Sequence, residues 1–224
     1  MQREYKKINF KEKEFLAIRG IVHSDYSWNC FYEPEEKEVK DKYWNIKEGD
    51  VVFDVGASYG SYALTACAMG AIVFAFEPEK TVFCDLVKNI TINKWHSKCF
   101  PMNIGMHSSQ TKIDMKSYAP HWPAYTISED YNMDTIDNIA EMSQVERLDW
   151  IKIDVEGAEE HVIKGGLKTI NKFKPNLIVE CHNFLDAELS NKVKTLLSSL
   201  SYPYEFEDIS RPPCVIIYAT SKKD

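Results

Sequence analysis

Apolar runs alternate with stretches of helical composition along most of this chain. Val51–Phe53 is β-branched and apolar, as a buried parallel strand is, and Tyr62–Met69 has helical composition that Gly70 brings to a close. Ile72–Phe76 is a second buried strand, followed by a helix over Glu79–Asn93, a short strand at Cys99–Met102 and an extended piece at Lys112–Ser117. A helix over Asp134–Met142 and a strand at Leu148–Ile153 come next. Ala158–Phe173 is helical with a break at Gly165-Gly166, and Pro175 bars its continuation. Asn176–Glu180 is another buried strand, Asp186–Leu200 a helix, and Glu205–Glu207 and Val215–Ala219 the last strands. Strands alternating with helices predict an α/β fold with a mainly parallel sheet covered on both faces, and two consecutive strands at the end predict an antiparallel finish.

The first 45 residues break this rhythm. They alternate charges with aromatic side chains (Tyr26, Trp28, Phe31, Tyr32, Tyr43, Trp44), which predicts a cap, residues 1–45, on a main domain of residues 46–224. A chain of 224 residues, 44% hydrophobic, is long enough for one full core and such an appendage. No repeat or Pro/Gly/Ser-rich linker divides it further.

Composition narrows the partners. A net charge of −7 argues against a polyanion, so no nucleic-acid partner is expected. No run approaches the ~20 apolar residues of a membrane helix, and the N-terminus is charged throughout rather than signal-like. The six cysteines show no C-x-x-C or zinc-type spacing and read as buried reduced thiols, which suggests a cytoplasmic protein.

The chemistry starts where the first buried strand ends. Asp54-x-Gly56-x-Ser58-x-Gly60 forms the turn into the helix, and the strand after it ends on Glu77, 17 positions past Gly60. A carboxylate at about that distance (~20 residues) grips a ribose diol in nucleoside-binding βαβ units. A dinucleotide fold wants G-x-G-x-x-G, with bare backbone against a pyrophosphate. Here Ser58 stands where the second of the closely spaced glycines would, and an acid flanks the turn, which repels pyrophosphate and attracts a ligand carrying an ammonium and a sulfonium. S-adenosylmethionine has both, and NAD does not.

In open α/β sheets the ligand lies outside the carboxyl ends of the strands. Reading just past each strand collects Asp54–Gly60, Glu77-Pro78, Met102–Gly105, Asp154–Gly157 and Glu180–His182. Asp154, Glu156 and His182 are the candidate proton acceptors, with helix capping by the acids as the alternative. Asp154, Glu156 and Glu180 form an alternative carboxylate set for a divalent cation. His161, inside a helix, reads as structural, and Lys152 as a buried ion-pair partner of a neighbouring acid or a substrate contact. The Tyr26–Tyr32 stretch reads as cap packing or a stacking surface, and His121–Tyr125, in a long connection, as a substrate-side wall.

The string Ile151-Lys152-Ile153-Asp154-Val155-Glu156-Gly157-Ala158-Glu159, taken with the 53–60 loop, Phe76–Glu79 and Asn103-Ile104-Gly105, resembles the FkbM family of S-adenosylmethionine-dependent methyltransferases over roughly residues 31–202. The resemblance implies a class I, Rossmann-like methyltransferase fold with a seven-stranded sheet, and O-methylation of hydroxyls on sugars of glycans or glycolipids or on polyketide-type compounds. It carries the cofactor loop onto Asp54, Gly56, Ala57, Ser58 and Gly60, the ribose acid onto Glu77, and the fourth-strand motif onto Asp154, Glu156 and Gly157. Pro78 and Asn103 join the expected cofactor contacts. Family members often carry Asn where this chain has Ser58. The expectation is therefore methyl transfer to a hydroxyl, foremost of a sugar, against two alternatives: a non-sugar small-molecule acceptor, or a catalytically silent module that binds the same cofactor.

Overall fold

The computed structural model describes residues 4–18, 30–31, 33–114, 116 and 130–221. Most of the Tyr26–Tyr32 stretch and all of His121–Tyr125 lie outside them. Strands are β1 (Tyr5–Phe10), β2 (Lys13–Ile18), β3 (Val51–Val55), β4 (Ile72–Phe76), β5 (Cys99–Met102), β6 (Gly105–Met106), β7 (Thr111–Asp114), β8 (Asp130–Asp134), β9 (Trp150–Ile153), β10 (Asn176–Cys181), β11 (Tyr204–Arg211) and β12 (Cys214–Ser221). Helices are α1 (Pro34–Tyr43), α2 (Ser61–Ala68), α3 (Lys80–Ile92), α4 (Ile136–Met142), α5 (Glu159–Lys164), α6 (Leu167–Phe173) and α7 (Leu189–Ser198). Seven strands form a mostly parallel sheet in the order β11-β12-β10-β9-β3-β4-β5, as expected. The chain forms two compact units, Met1–Asn103 and Ile104–Asp224.

In the first unit, β3 and β4 pair in parallel, as do β4 and β5. Every residue of β3 is buried, which suits a strand covered on both faces. Helix α2 ends in a Schellman motif: Gly70, at φ +96°, donates to the Cys67 carbonyl, and Ala71 N–H donates to the Ala66 carbonyl. The first residues of the chain are more ordered than their charge pattern suggested. Strands β1 and β2 make an antiparallel hairpin that turns at Lys11-Glu12, with Ile8, Phe10, Phe15 and Ala17 buried. Asn89 of α3 and Asn93, which caps its C-terminus, serve the hairpin as an adjoining strand would. Asn93 accepts from Leu16 N–H and donates to the Leu16 carbonyl, while Asn89 accepts from Ile18 N–H. The same Asn89 donates to the Tyr59 carbonyl, so one buried amide ties the hairpin to the turn after β3.

In the second unit, β9 and β10 pair in parallel, and β12 runs antiparallel to both β10 and β11, which is the antiparallel finish. A separate three-stranded sheet, β6-β8-β7, was not foreseen. Its β8 holds Asp134, which the sequence pattern had placed in a helix. The helix begins two residues later because the Thr135 side chain caps it, accepting from Asn138 N–H at 3.0 Å. The break in the 158–173 helix falls at Gly165-Gly166 as expected. Of the six cysteines, all free, only Cys84 is exposed.

Candidate active site

The turn after β3 is built around the end of β4. Gly56 and Ala57 N–H both donate to the Phe76 carbonyl, and Gly56, Ser58 and Gly60 all have positive φ, at 76°, 50° and 97°. At Gly60 a Cβ would stand 2.8 Å from Leu86 Cδ1, so the glycine answers both to its φ and to the packing of α2 on α3. Glu77 is only 5% exposed. Its Oε2 accepts from Ser58 N–H at 2.9 Å and its Oε1 from Glu79 N–H at 2.8 Å, so each carboxylate oxygen is held by one backbone donor and retains acceptor capacity. Asn103 donates to the carbonyls of Glu77 and Pro78 at 2.9 and 2.8 Å, which steadies the strand end that carries the acid. The side-chain hydroxyl of Ser58 is buried with no hydrogen-bond partner. A buried orphan hydroxyl costs stability unless something meets it, and a nucleoside ligand offers such a partner.

Asp54 braces the turn from the β3 side. It is 1% exposed, and Oδ2 accepts from Ala63 N–H at 2.8 Å in the first turn of α2, so it orders the turn from beneath.

In the second unit the structure brings together the three residues expected as proton acceptors. Asp154, Glu156 and His182 each present an oxygen or nitrogen within 4.8 Å of the others. Two left-handed residues past β9, Glu156 at φ +55° and Gly157 at φ +105°, fold the chain back over His182, which follows β10. A non-glycine residue in that region is strained, and such strain gathers at working sites. His182 Nε2 lies 3.2 Å from Glu156 Oε2 and 3.8 Å from Asp154 Oδ1. On the other side of the ring, Nδ1 lies 2.8 Å from Oε1 of Glu159, which the sequence analysis had not singled out. Lys152 Nζ is 3.3 Å from Asp154 Oδ2, the ion pair that was one of its two expected roles.

Two buried cations thus face three carboxylates. Burial pushes the Asp154 carboxyl up, but Lys152 and His182 outweigh it and hold the group below the usual carboxylate range. Burial and the neighbouring Asp154 charge push Glu156 up to about 8. Burial works against protonated His182, but the hydrogen bond to Glu159 and the charges of Asp154, Glu159 and Glu156 together raise it to about 9. Both groups are thus pushed toward their protonated forms at neutral pH, and Glu156 becomes a carboxylate first as the pH rises.

Glu180 does not join this set. It groups instead with His182 and Cys214, and both its oxygens accept from Arg211 at 2.8 and 2.9 Å. The expected carboxylate triad for a divalent cation is therefore corrected. Asp154, Glu156 and His182 place their ligand atoms within reach of one ion, with Lys152 paired to Asp154 beside them. His161 lies apart from the cluster, stacked on His107 with ring centroids 4.3 Å apart. The signals missed by sequence reading were Glu159, visible only as the last acid of the 151–159 string, and Arg211, 31 positions from its partner.

The strand order and the chemistry at the strand ends define a class I, Rossmann-like methyltransferase fold. The chain belongs to the FkbM methyltransferase family: the family model described as "Methyltransferase FkbM domain" matches residues 54–206. Among curated proteins it is 31% identical over 182 residues to the hexuronic acid methyltransferase AglP of Haloferax volcanii, covering 76% of this chain and 71% of that one. Among solved structures it is similar to the FkbM methyltransferase of Methylobacillus flagellatus KT, with a TM-score of 0.59 at 16% identity, over 88% of this chain. The match spans 56% of that longer protein. It is also similar to M. jannaschii TYW2, solved in complex with AdoMet, with a TM-score of 0.53 at 15% identity, over 100% of this chain and 89% of that one. The chain is a methyltransferase. Among the described residues no helix is long and apolar enough to cross a membrane.

Proposed function

We propose that this enzyme transfers the methyl group of S-adenosylmethionine to a hydroxyl of a sugar in a glycan or glycoconjugate. The cluster of Asp154, Glu156 and His182 carries the assignment, because a hydroxyl acceptor must lose a proton as it attacks and the cluster holds a carboxylate–imidazole pair suited to take it. When bound, S-adenosylmethionine supplies an electrophilic methyl on a sulfonium. Glu77, with its two anchored oxygens, and the orphan Ser58 hydroxyl are the groups suited to its ribose, with Gly56, Ala57, Gly60, Pro78 and Asn103 shaping the cradle. Glu156 in its carboxylate form accepts the hydroxyl proton, and protonated His182 holds the resulting charge balance. No step passes through a metal. The relative named a hexuronic acid methyltransferase favours a sugar acceptor over other small molecules. Residues 1–45 act as the cap of the main domain.

The experiment is incubation with methyl-labelled S-adenosylmethionine and a panel of neutral sugars and uronic acids. Label fixed to sugar and stable to mild alkali is the expected result. Cofactor binding without turnover on any hydroxylated acceptor would leave the silent-module alternative. Label released by mild alkali would mean that a carboxylate rather than a hydroxyl receives the methyl.

A further inference from the structure

The carboxylate that organises this cluster closes the 151–159 string, where the sequence assigned it no role. Glu159, the first residue of α5, is wholly buried, at 0% exposure. Its Oε1 accepts from Gly157 N–H at 3.1 Å and Val155 N–H at 3.4 Å and lies 2.8 Å from His182 Nδ1. Its Oε2 is buried without a hydrogen-bond partner. A half-met buried carboxylate is a costly arrangement for a fold to keep, and capping alone does not explain it, since an exposed acid at the helix start does the same at less cost. The two backbone donors come from the strained 155–157 turn that carries Glu156, so a single oxygen fixes the turn and the imidazole together.

We propose that Glu159 is the positioning residue of the site: it holds His182 through Nδ1–H, so that Nε2 is the ring atom exchanging a proton with Glu156. The charged and titratable groups facing the imidazole are Asp154, Glu156 and Glu159, with Lys152 behind Asp154, and Glu180, Cys214 and Arg211 on the side of β10–β12. Glu159 meets Nδ1, whereas Asp154 and Glu156 meet Nε2. Phe184 packs edge-on against the same ring, with centroids 5.8 Å apart, and limits its rotation. Holding the imidazole by one nitrogen while the other works is how a buried acid sets a histidine's tautomer.

The consequence for catalysis rests on the proposed methyl transfer to a hydroxyl, but the tautomer can be read without it. In ¹⁵N-labelled wild-type enzyme, long-range ¹H–¹⁵N correlation spectra, with the His182 signals assigned by their loss in His182→Gln, should show His182 as the Nδ1–H tautomer once the ring becomes neutral at high pH. An Nε2–H tautomer would overturn the proposal, whatever the enzyme methylates. In folded Glu159→Gln, kcat should fall on the order of tenfold to a hundredfold, as for misplacement of a reacting group, with KM for S-adenosylmethionine within about twofold of wild type. An unchanged kcat would overturn the positioning role. If Glu159→Gln does not fold, the wild-type spectrum alone decides. Absence of turnover in wild type, with the Nδ1–H tautomer present, would refute the sugar assignment and leave the positioning of His182 supported.

Discussion

Replacing Glu77 separates an anchor from a ligand. The carboxylate takes two backbone hydrogen bonds, from Ser58 at 2.9 Å and Glu79 at 2.8 Å, inside a site where it is almost fully buried. At ~1.5 kcal/mol for each hydrogen bond to a charged group, Glu77→Ala should lose about 3 kcal/mol of stability. For a chain of this length that is a fall in Tm of roughly 6–12 °C. Glu77→Gln keeps one acceptor but turns an amide N–H toward one of the two donors, so its loss should be of the same order. A ribose hydroxyl donating to the same carboxylate adds a third such bond. S-adenosylhomocysteine should therefore bind folded Glu77→Gln about 10- to 100-fold more weakly, measured calorimetrically at 25 °C, where ~1.4 kcal/mol is a factor of ten. A lowered Tm with unchanged affinity would refute the ribose assignment and leave Glu77 as a loop anchor only.

Four further outcomes are expected. Glu156 and His182 keep protons in the folded chain that they give up on unfolding, Glu156 between its ordinary 4.5 and about 8, His182 between 6.5 and about 9. Unfolding therefore releases protons, and stability measured by urea denaturation should fall as pH rises from 6 to 9, less steeply in Glu156→Gln. Turnover should rise over pH 6–8 as Glu156 becomes a carboxylate, and a flat profile would remove Glu156 as proton acceptor. Activity should survive excess chelator, because the cations meeting Asp154, Glu156 and Glu180 are Lys152, His182 and Arg211; loss of activity restored by a divalent ion would overturn that account. Gly165→Ala should cost ~3 kcal/mol in denaturant unfolding, since the new Cβ would lie 2.1 Å from the His107 backbone oxygen, which cannot move aside as a side chain does.

The site was partly legible in advance. The turn around Gly56 and Gly60 and the acid at Glu77 could be found because they obey local rules: glycines where φ is positive, an acid where an apolar strand ends. Asp154, Glu156 and His182 were also reachable, since residues past parallel strands share one edge of a sheet. The β1–β2 hairpin was not, because its buried pairs Ile8/Phe10 and Phe15/Ala17 are short and are flanked by Lys6-Lys7 and the charged run 11–14, which leave no sustained alternation. Strand β8 was missed because only Tyr131 and Met133 point inward from a polar segment before they meet Asp134.

By itself the sequence determined the alternation of strands and helices that builds the main sheet and the glycine turn after β3, because each depends on residues within a few positions of one another. The tertiary structure alone decided what the acids do. Asp54 became a cap on α2, Glu180 went to Arg211, and Glu159 took hold of His182, 23 positions away. Those partnerships depend on strand register and on which side chains share a buried space. Burial then sets which carboxylate keeps its charge and which holds a proton, and no spacing along the chain encodes that.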